Sequence, residues 1–180
     1  AEGNPDIRNQ ASIKWADMEF RGGHMDTARK RYQAFVETAP TNAVVPRALF
    51  QAAVCLSRMD EPPAAALDEL DRLRNRYPNS PFAERALLEK AGVLNRALRL
   101  EQALGQYGAY LERYPKGEFV PAAMIDKGLT AYRLGLYELA LRMFSQVMER
   151  FPEHERAEQA YFMRGWAMYL SGDDAEALAV

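Results

Sequence analysis

Four short stretches of this chain, TAPTNAVVPRAL at 38–49, RYPNSPFAERAL at 76–87, RYPKGEFVPAAM at 113–124 and RFPEHERAEQAY at 150–161, each close one helical pattern and open another. Their first prolines, Pro40, Pro78, Pro115 and Pro152, are 38, 37 and 37 residues apart. This period constrains the fold more than any other feature of the sequence. A unit of that length is one supersecondary element. It is too small to bury its apolar face alone and becomes stable by stacking on its neighbours.

The interior of the unit repeats as well. Twelve residues before each proline stands an alanine: Ala28, Ala66, Ala103 and Ala140. Eight before stands Tyr32, Leu70, Tyr107 or Phe144, and five before stands Phe35, Leu73, Tyr110 or Val147. Steps of four and three place these side chains on one face of a helix. The alanine lets a second helix cross closely, because no bulky side chain intervenes. Ahead of that helix lies another, marked in the fourth unit by Met124, Gly128, Ala131 and Tyr132, and Gly135 breaks it before Tyr137 opens the next. Gly23 and Gly172 hold the same break in the first and fifth units, Pro62 and Pro63 serve the second, and Leu98 stands where the third would carry glycine. The expectation is an all-α chain of antiparallel helical hairpins over 9–38, 43–76, 80–113 and 118–150, with a partial fifth over 154–180. No segment alternates apolar and polar residues with period two, so no strand is expected. Asn79, Ser80 and Pro81 offer a capping side chain followed by a proline suited to a first helical turn.

Composition excludes several classes. With 180 residues, 48% hydrophobic and 27% charged, the chain reads as soluble and folded. A formal net charge of -2 gives no electrostatic reason to expect nucleic acid as a partner. No apolar run approaches the roughly 20 residues that span a bilayer. The single cysteine, Cys55, forms no internal disulfide. The start, AEGNPDIRNQ, lacks an initiator methionine and a signal stretch and reads as a mature or trimmed end.

Residues able to carry chemistry are sparse. His24 and His154 are isolated, without metal-ligand spacing or a Cys/His cluster, so neither metal nor cofactor is expected. Cys55 has no base partner in the pattern and falls inside an apolar helix, as a buried thiol would. Carboxylates such as Glu84, Glu89, Glu153 and Glu155 are spaced as solvated helix faces and ends. No glycine-rich phosphate cradle exists, and the reading is that the chain is not an enzyme.

Gly128, Gly135, Tyr137, Ala140, Phe144 and Pro152 stand at the signature spacings of the tetratricopeptide repeat, which this pattern resembles over about residues 9–180. The period is longer than the family's usual one of about 34 residues. No tryptophan occupies the usual first-helix position, which holds Ser12, Phe50, Leu87, Met124 and Tyr161. The linker YPNSPFAERAL is similar to that of bacterial envelope repeats of the BamD and YbgF type. The resemblance implies a right-handed α-solenoid, or superhelix, binding a protein or extended peptide in its groove. It places the chain in the periplasm or at the outer membrane, in an assembly or secretion complex, with the cytoplasm as the other possibility. Because GDDAEALAV opens a second helix that stops about two turns in, the chain is expected to be a segment of a longer protein.

By the family's spacing, the first helix of each unit lines the groove. The positions are Ile13, Asp17, Phe20 and Arg21 in the first unit, and Cys55 and Arg58 in the second. The third supplies Asn95 and Arg96, and the fourth Ile125, Leu129, Tyr132 and Arg133. Phe162, Trp166, Tyr169 and Leu170 follow in the fifth. Arg21, Arg58, Arg96 and Arg133 form a column spaced 37, 38 and 37 residues. They read either as guanidinium forks for an acidic peptide or as cations complementing helix dipoles. Phe162, Trp166 and Tyr169, with Tyr161, read either as an anchor pocket or as core. Rival settings are a helical-repeat component of exopolysaccharide export and the positioning module of a cell-wall enzyme. A pentatricopeptide RNA binder needs a basic groove, which the net charge opposes.

Overall fold

The computed structural model describes residues 5–59 and 62–172. Among them are nine helices and no strand: α1 (Pro5–Arg21), α2 (Met25–Thr38), α3 (Val45–Arg58), α4 (Pro63–Arg76), α5 (Pro81–Arg96), α6 (Leu100–Arg113), α7 (Val120–Arg133), α8 (Tyr137–Arg150) and α9 (Ala157–Ser171). The first helix begins at Pro5, ahead of the expected 9, with the proline in its first turn and Asp6 beside its positive end. The expected continuation of the fifth hairpin over 173–180 lies outside the described residues.

Two compact units divide the chain, Ala1–Val93 and Leu94–Val180. In the first, α1 packs on α2, α2 on α3 and α3 on α4. In the second, α6 packs on α7, α7 on α8, and α8 on α9. The alternation of first and second helices explains the sequence pattern. Ala28, Ala103 and Ala140 are wholly buried and Ala66 nearly so, and Tyr32, Leu70, Tyr107 and Phe144 lie inside with them. At Gly128 the helices cross closely. A Cβ there would sit 2.6 Å from Cε1 of Phe144, so the ring occupies the space a side chain would need.

The linkers are one joint used four times. Ala39, Tyr77, Tyr114 and Phe151 cap α2, α4, α6 and α8 with φ, ψ of -135, 56; -132, 58; -126, 59; and -138, 49. Each precedes a proline, whose ring disfavours the helical region for the residue before it. Each cap N–H still reaches a carbonyl four residues back, at 2.8 or 2.9 Å. Two successive turns follow, for example Ser80 N–H to Tyr77 O at 3.0 Å and Ala83 N–H to Ser80 O at 2.9 Å. At the middle of this double turn Asn42, Ser80 and His154 accept the backbone N–H two residues on, at 2.9, 3.2 and 3.2 Å. Arg76, Arg113 and Arg150 lie over the rings of Tyr77, Tyr114 and Phe151 at 5.3, 5.8 and 5.0 Å.

Turns inside the hairpins follow the glycines. Gly23, Gly135 and Gly172 have φ of 80, 75 and 90. The third hairpin lacks this glycine, and Leu98 takes the same left-handed conformation with φ 59 while its side chain stays exposed. Its turn forms despite the steric cost of a Cβ in that region.

Candidate functional site

In the first unit the expected binding residues end two first-type helices. Phe20 is half-buried at the end of α1, Arg21 is exposed, and Arg58 closes α3 with its guanidinium 4.8 Å over the Phe20 ring. The same unit holds a polar cluster whose assembly sequence reasoning missed, although it named Asp17 and Tyr32 singly. The Tyr32 hydroxyl donates to Asp17 Oδ1 at 2.7 Å, and Arg47 Nη2 donates to both Asp17 oxygens at 2.8 Å. Burial, then the bond to Asp17, pushes the Tyr32 hydroxyl pKa well above its usual value. Asp17 is thus a tie joining α1, α2 and α3. A cavity of about 430 Å³ opens beside it, lined by Ile13, Lys14, Asn42 and Arg47 among others.

In the second unit three groups form. Arg133, at the end of α7, donates to Asn95 Oδ1 at 2.7 Å. Asn95 also hydrogen-bonds the Tyr107 hydroxyl, whose pKa is pushed up chiefly by burial and next by the Asp126 charge. Tyr132 is half-buried and meets Tyr137 edge-on, with ring centres 5.7 Å apart. On α9 the centres of Phe162 and Trp166 are 6.2 Å apart, as are those of Trp166 and Tyr169, both edge-to-face. These three are 62%, 46% and 56% exposed, so among the described residues they form an open aromatic array. Beside it a cavity of about 570 Å³ is lined by Gly135, Leu136, Tyr137, Arg142, Leu170 and Ser171. Leu170 was mapped to the groove, while Leu136 and Arg142 were not anticipated, since the gathering depends on where the α7–α8 turn meets the end of α9.

Other positions mapped to the groove are placed differently. Ile13, Cys55 and Ile125 are buried, because each turns toward the neighbouring helices. Burial pushes the Cys55 thiol up to about 11. Leu129 is half-buried, and Arg96 ends α5 as an exposed cation. Arginine also closes α4, α6 and α8, which are helices of the other type. Arginine thus ends seven of the nine described helices, of both types, where it complements the helix dipole, and specificity has to come from what surrounds each guanidinium. His24 lies in the first hairpin turn with Nδ1 2.9 Å from Glu19. Among the described residues no group of three or more His, Cys, Asp or Glu side chains could hold a metal ion. No helix there is long and apolar enough to cross a membrane.

Residues 47–80, from the first turn of α3 through the next joint, match the tetratricopeptide-repeat family. That match spans one unit of the repeat. Residues 90–177 also match YfiO, a family described as an outer membrane lipoprotein. No curated protein sequence matches the chain. Among solved structures, it is similar to MamA from Desulfovibrio magneticus RS-1, at 16% identity and a TM-score of 0.76, with 95% of this chain and 89% of that one covered. A tetratricopeptide repeat protein from Parabacteroides merdae gives 16% identity and a TM-score of 0.70 over 95% of this chain and 76% of that one. The apo form of RapI gives 14% and 0.85 over 98% of this chain and 52% of that one. The fold is therefore that of the tetratricopeptide solenoids, all helical and built from stacked hairpins.

Proposed function

We propose that this chain is a non-catalytic scaffold that binds a protein or extended peptide and works in the bacterial cell envelope, as part of an assembly or secretion complex. The observation that carries the binding reading is the exposed array Phe162–Trp166–Tyr169. Aromatic side chains of this kind anchor partners by burying large areas at small entropic cost. Tyr132, Arg133, Asn95, Arg96 and Leu129 on α5 and α7 supply polar and apolar contacts of the same unit. Phe20, Arg21 and Arg58 are the corresponding set in the first unit. The envelope setting is supported by the likeness of residues 90–177 to an outer membrane lipoprotein family.

The test uses the fact that the chain has two tryptophans. Trp15→Phe leaves Trp166 as the sole reporter for titration with libraries of acidic and aromatic-containing peptides. Saturable emission changes are expected, weakened by Phe162→Ser and by Arg133→Ala. No response to any peptide, or equal binding by the variants, removes the reading. Cell fractionation tests the location independently.

A further inference from the structure

Two ion pairs of this chain join residues 30 apart in sequence, and they are out of register with each other. Asp17 of α1 is held by Arg47 of α3 at 2.8 Å, and Asp126 of α7 by Arg156, the residue that caps α9, at 2.6 Å. Counting by the period, Asp126 corresponds to Lys14 and Arg156 to Val44, which likewise caps its helix, α3. Both partners of the first pair therefore stand three residues later than those of the second, almost one helical turn further along.

The cavity of about 430 Å³ lies at the level the first pair has left. Lys14 and Val44, the residues at the vacated registers, both line it. In the fourth hairpin the Arg156 side chain runs from the joint to Asp126 across the corresponding space. Phe82 and Phe119 hold the register of Val44 in the second and third joints, so Val44 is the smallest of the four. Every lining residue belongs to α1, α2, α3 or the joint between α2 and α3. Arg156 and Asp126 are 30% and 29% exposed, so the helices ahead of α7 do not close the corresponding space.

The walls of the cavity favour an anion. Lys14 is exposed and, among the described residues, pairs with no carboxylate. Arg47 uses only Nη2 on Asp17, leaving Nη1 and Nε to donate. Asn42 Oδ1 accepts the Val44 N–H at 2.9 Å, which leaves the amide NH2 as a donor. The lining carboxylates are engaged, Asp17 by Tyr32 and Arg47 and Asp6 by a partner of its own. The floor is apolar: Ile13 and Phe35 are buried and Val44 is half-buried.

We propose that this cavity binds a small-molecule carboxylate with an apolar arm. The carboxylate lies between Lys14 and Arg47, and the arm rests on Ile13, Phe35 and Val44. An anion from solution then meets the cation on the first helix, where the fourth hairpin sets its own cation against Asp126. The volume falls in the range of about 300–1,000 Å³ typical of small-molecule sites and exceeds what one side chain of a peptide fills. The site stands whether or not the aromatic array on α9 holds a protein partner.

The test uses hydrocinnamate as probe, titrated into the full chain and followed by the methyl resonances of Ile13 and Val44. Saturable shifts of both are expected. Hydrocinnamide, the neutral analogue, should bind at least about tenfold more weakly. Lys14→Gln should weaken the acid several-fold with the melting temperature unchanged. Lys14→Asp/Val44→Arg rebuilds the ion pair of the fourth hairpin inside the cavity and should abolish binding, read at Ile13. No saturable shift, shifts that spare Ile13 and Val44, equal binding of acid and amide, or equal binding by either variant overturns the proposal. Should the double variant not fold, Lys14→Gln, a change at an exposed side chain, decides alone. A glutamate-containing peptide that displaces the probe also overturns it, by assigning the cavity to a side chain of a protein partner.

Discussion

Arg133 hydrogen-bonds Asn95, which stands 38 residues earlier in the chain. Arg58 lies over Phe20 across the same interval. In each unit a guanidinium at the end of a first-type helix reaches back to the residue before the corresponding arginine. The cation thus serves its own helix dipole and a neighbour at once. A carboxylate ligand would approach a guanidinium already oriented by that neighbour, which lowers the cost of fixing it.

Replacing the neighbour should therefore change recognition more than folding. Asn95→Asp puts a fixed carboxylate against Arg133 and should reduce affinity for acidic peptides by several-fold or more. Through Arg133, stability should move by no more than about 1 kcal/mol, since that bond is exposed to solvent, and the buried Tyr107 hydroxyl can donate to the new carboxylate in place of accepting from the amide. Parallel calorimetric titration and urea unfolding check both statements.

The close crossing in the fourth hairpin predicts a penalty where helix propensity predicts a gain. Gly128→Ala adds a Cβ that meets the Phe144 ring at 2.6 Å. Overpacking of about 1–3 kcal/mol should outweigh the roughly 1 kcal/mol gained from alanine in a helix. Phe144→Leu in the same chain should recover part of the loss, a coupling that a double-mutant cycle measures. Ala140→Leu should destabilise by a similar amount, about 1–3 kcal/mol, and a melting curve shows it.

Leu98 offers the opposite case. Its φ of 59 is a glycine conformation, and its side chain is 70% exposed. Leu98→Gly should stabilise the chain by about 1 kcal/mol, because the left-handed strain disappears and little burial is lost. An unchanged or lower denaturation midpoint would remove the strain argument.

High pH should destabilise the protein through its buried acids. Cys55 ionises at about 11 when folded, above the 9.0 usual for a thiol, and Tyr32 and Tyr107 are also raised. Between those values for the thiol the unfolded chain releases a proton that the folded chain keeps, so stability falls as pH rises. Stability curves from pH 8 to 11 should decline less steeply for Cys55→Ala than for the parent, whatever the offset between them at pH 8.

Much of this was legible from the sequence, and the reason lies in which contacts repeat. The alanine positions and the apolar residues four and seven places after them are fixed by helix geometry, so spacing alone locates them inside. Asp17 was named as a groove position and Tyr32 as a core one, but their meeting with Arg47 escaped notice because it depends on how three helices are set in depth, which no periodicity encodes. His154 read as an isolated histidine, yet it occupies the capping position of Asn42 and Ser80. That role could have been found by aligning it with those two residues. The aromatic array on α9 was visible as residues, while the cavity beside it required the position of the α7–α8 turn.

The four pre-proline joints have a further consequence. Ala39, Tyr77, Tyr114 and Phe151 share nearly one pair of dihedral angles, and the same two turns follow each of them. A segment excised from one joint to the next would leave ends that meet in the geometry they already had. The joints are interchangeable splice points. Along this chain the natural quantum of loss or duplication is one whole hairpin, whereas a change of a few residues must be absorbed inside a helix.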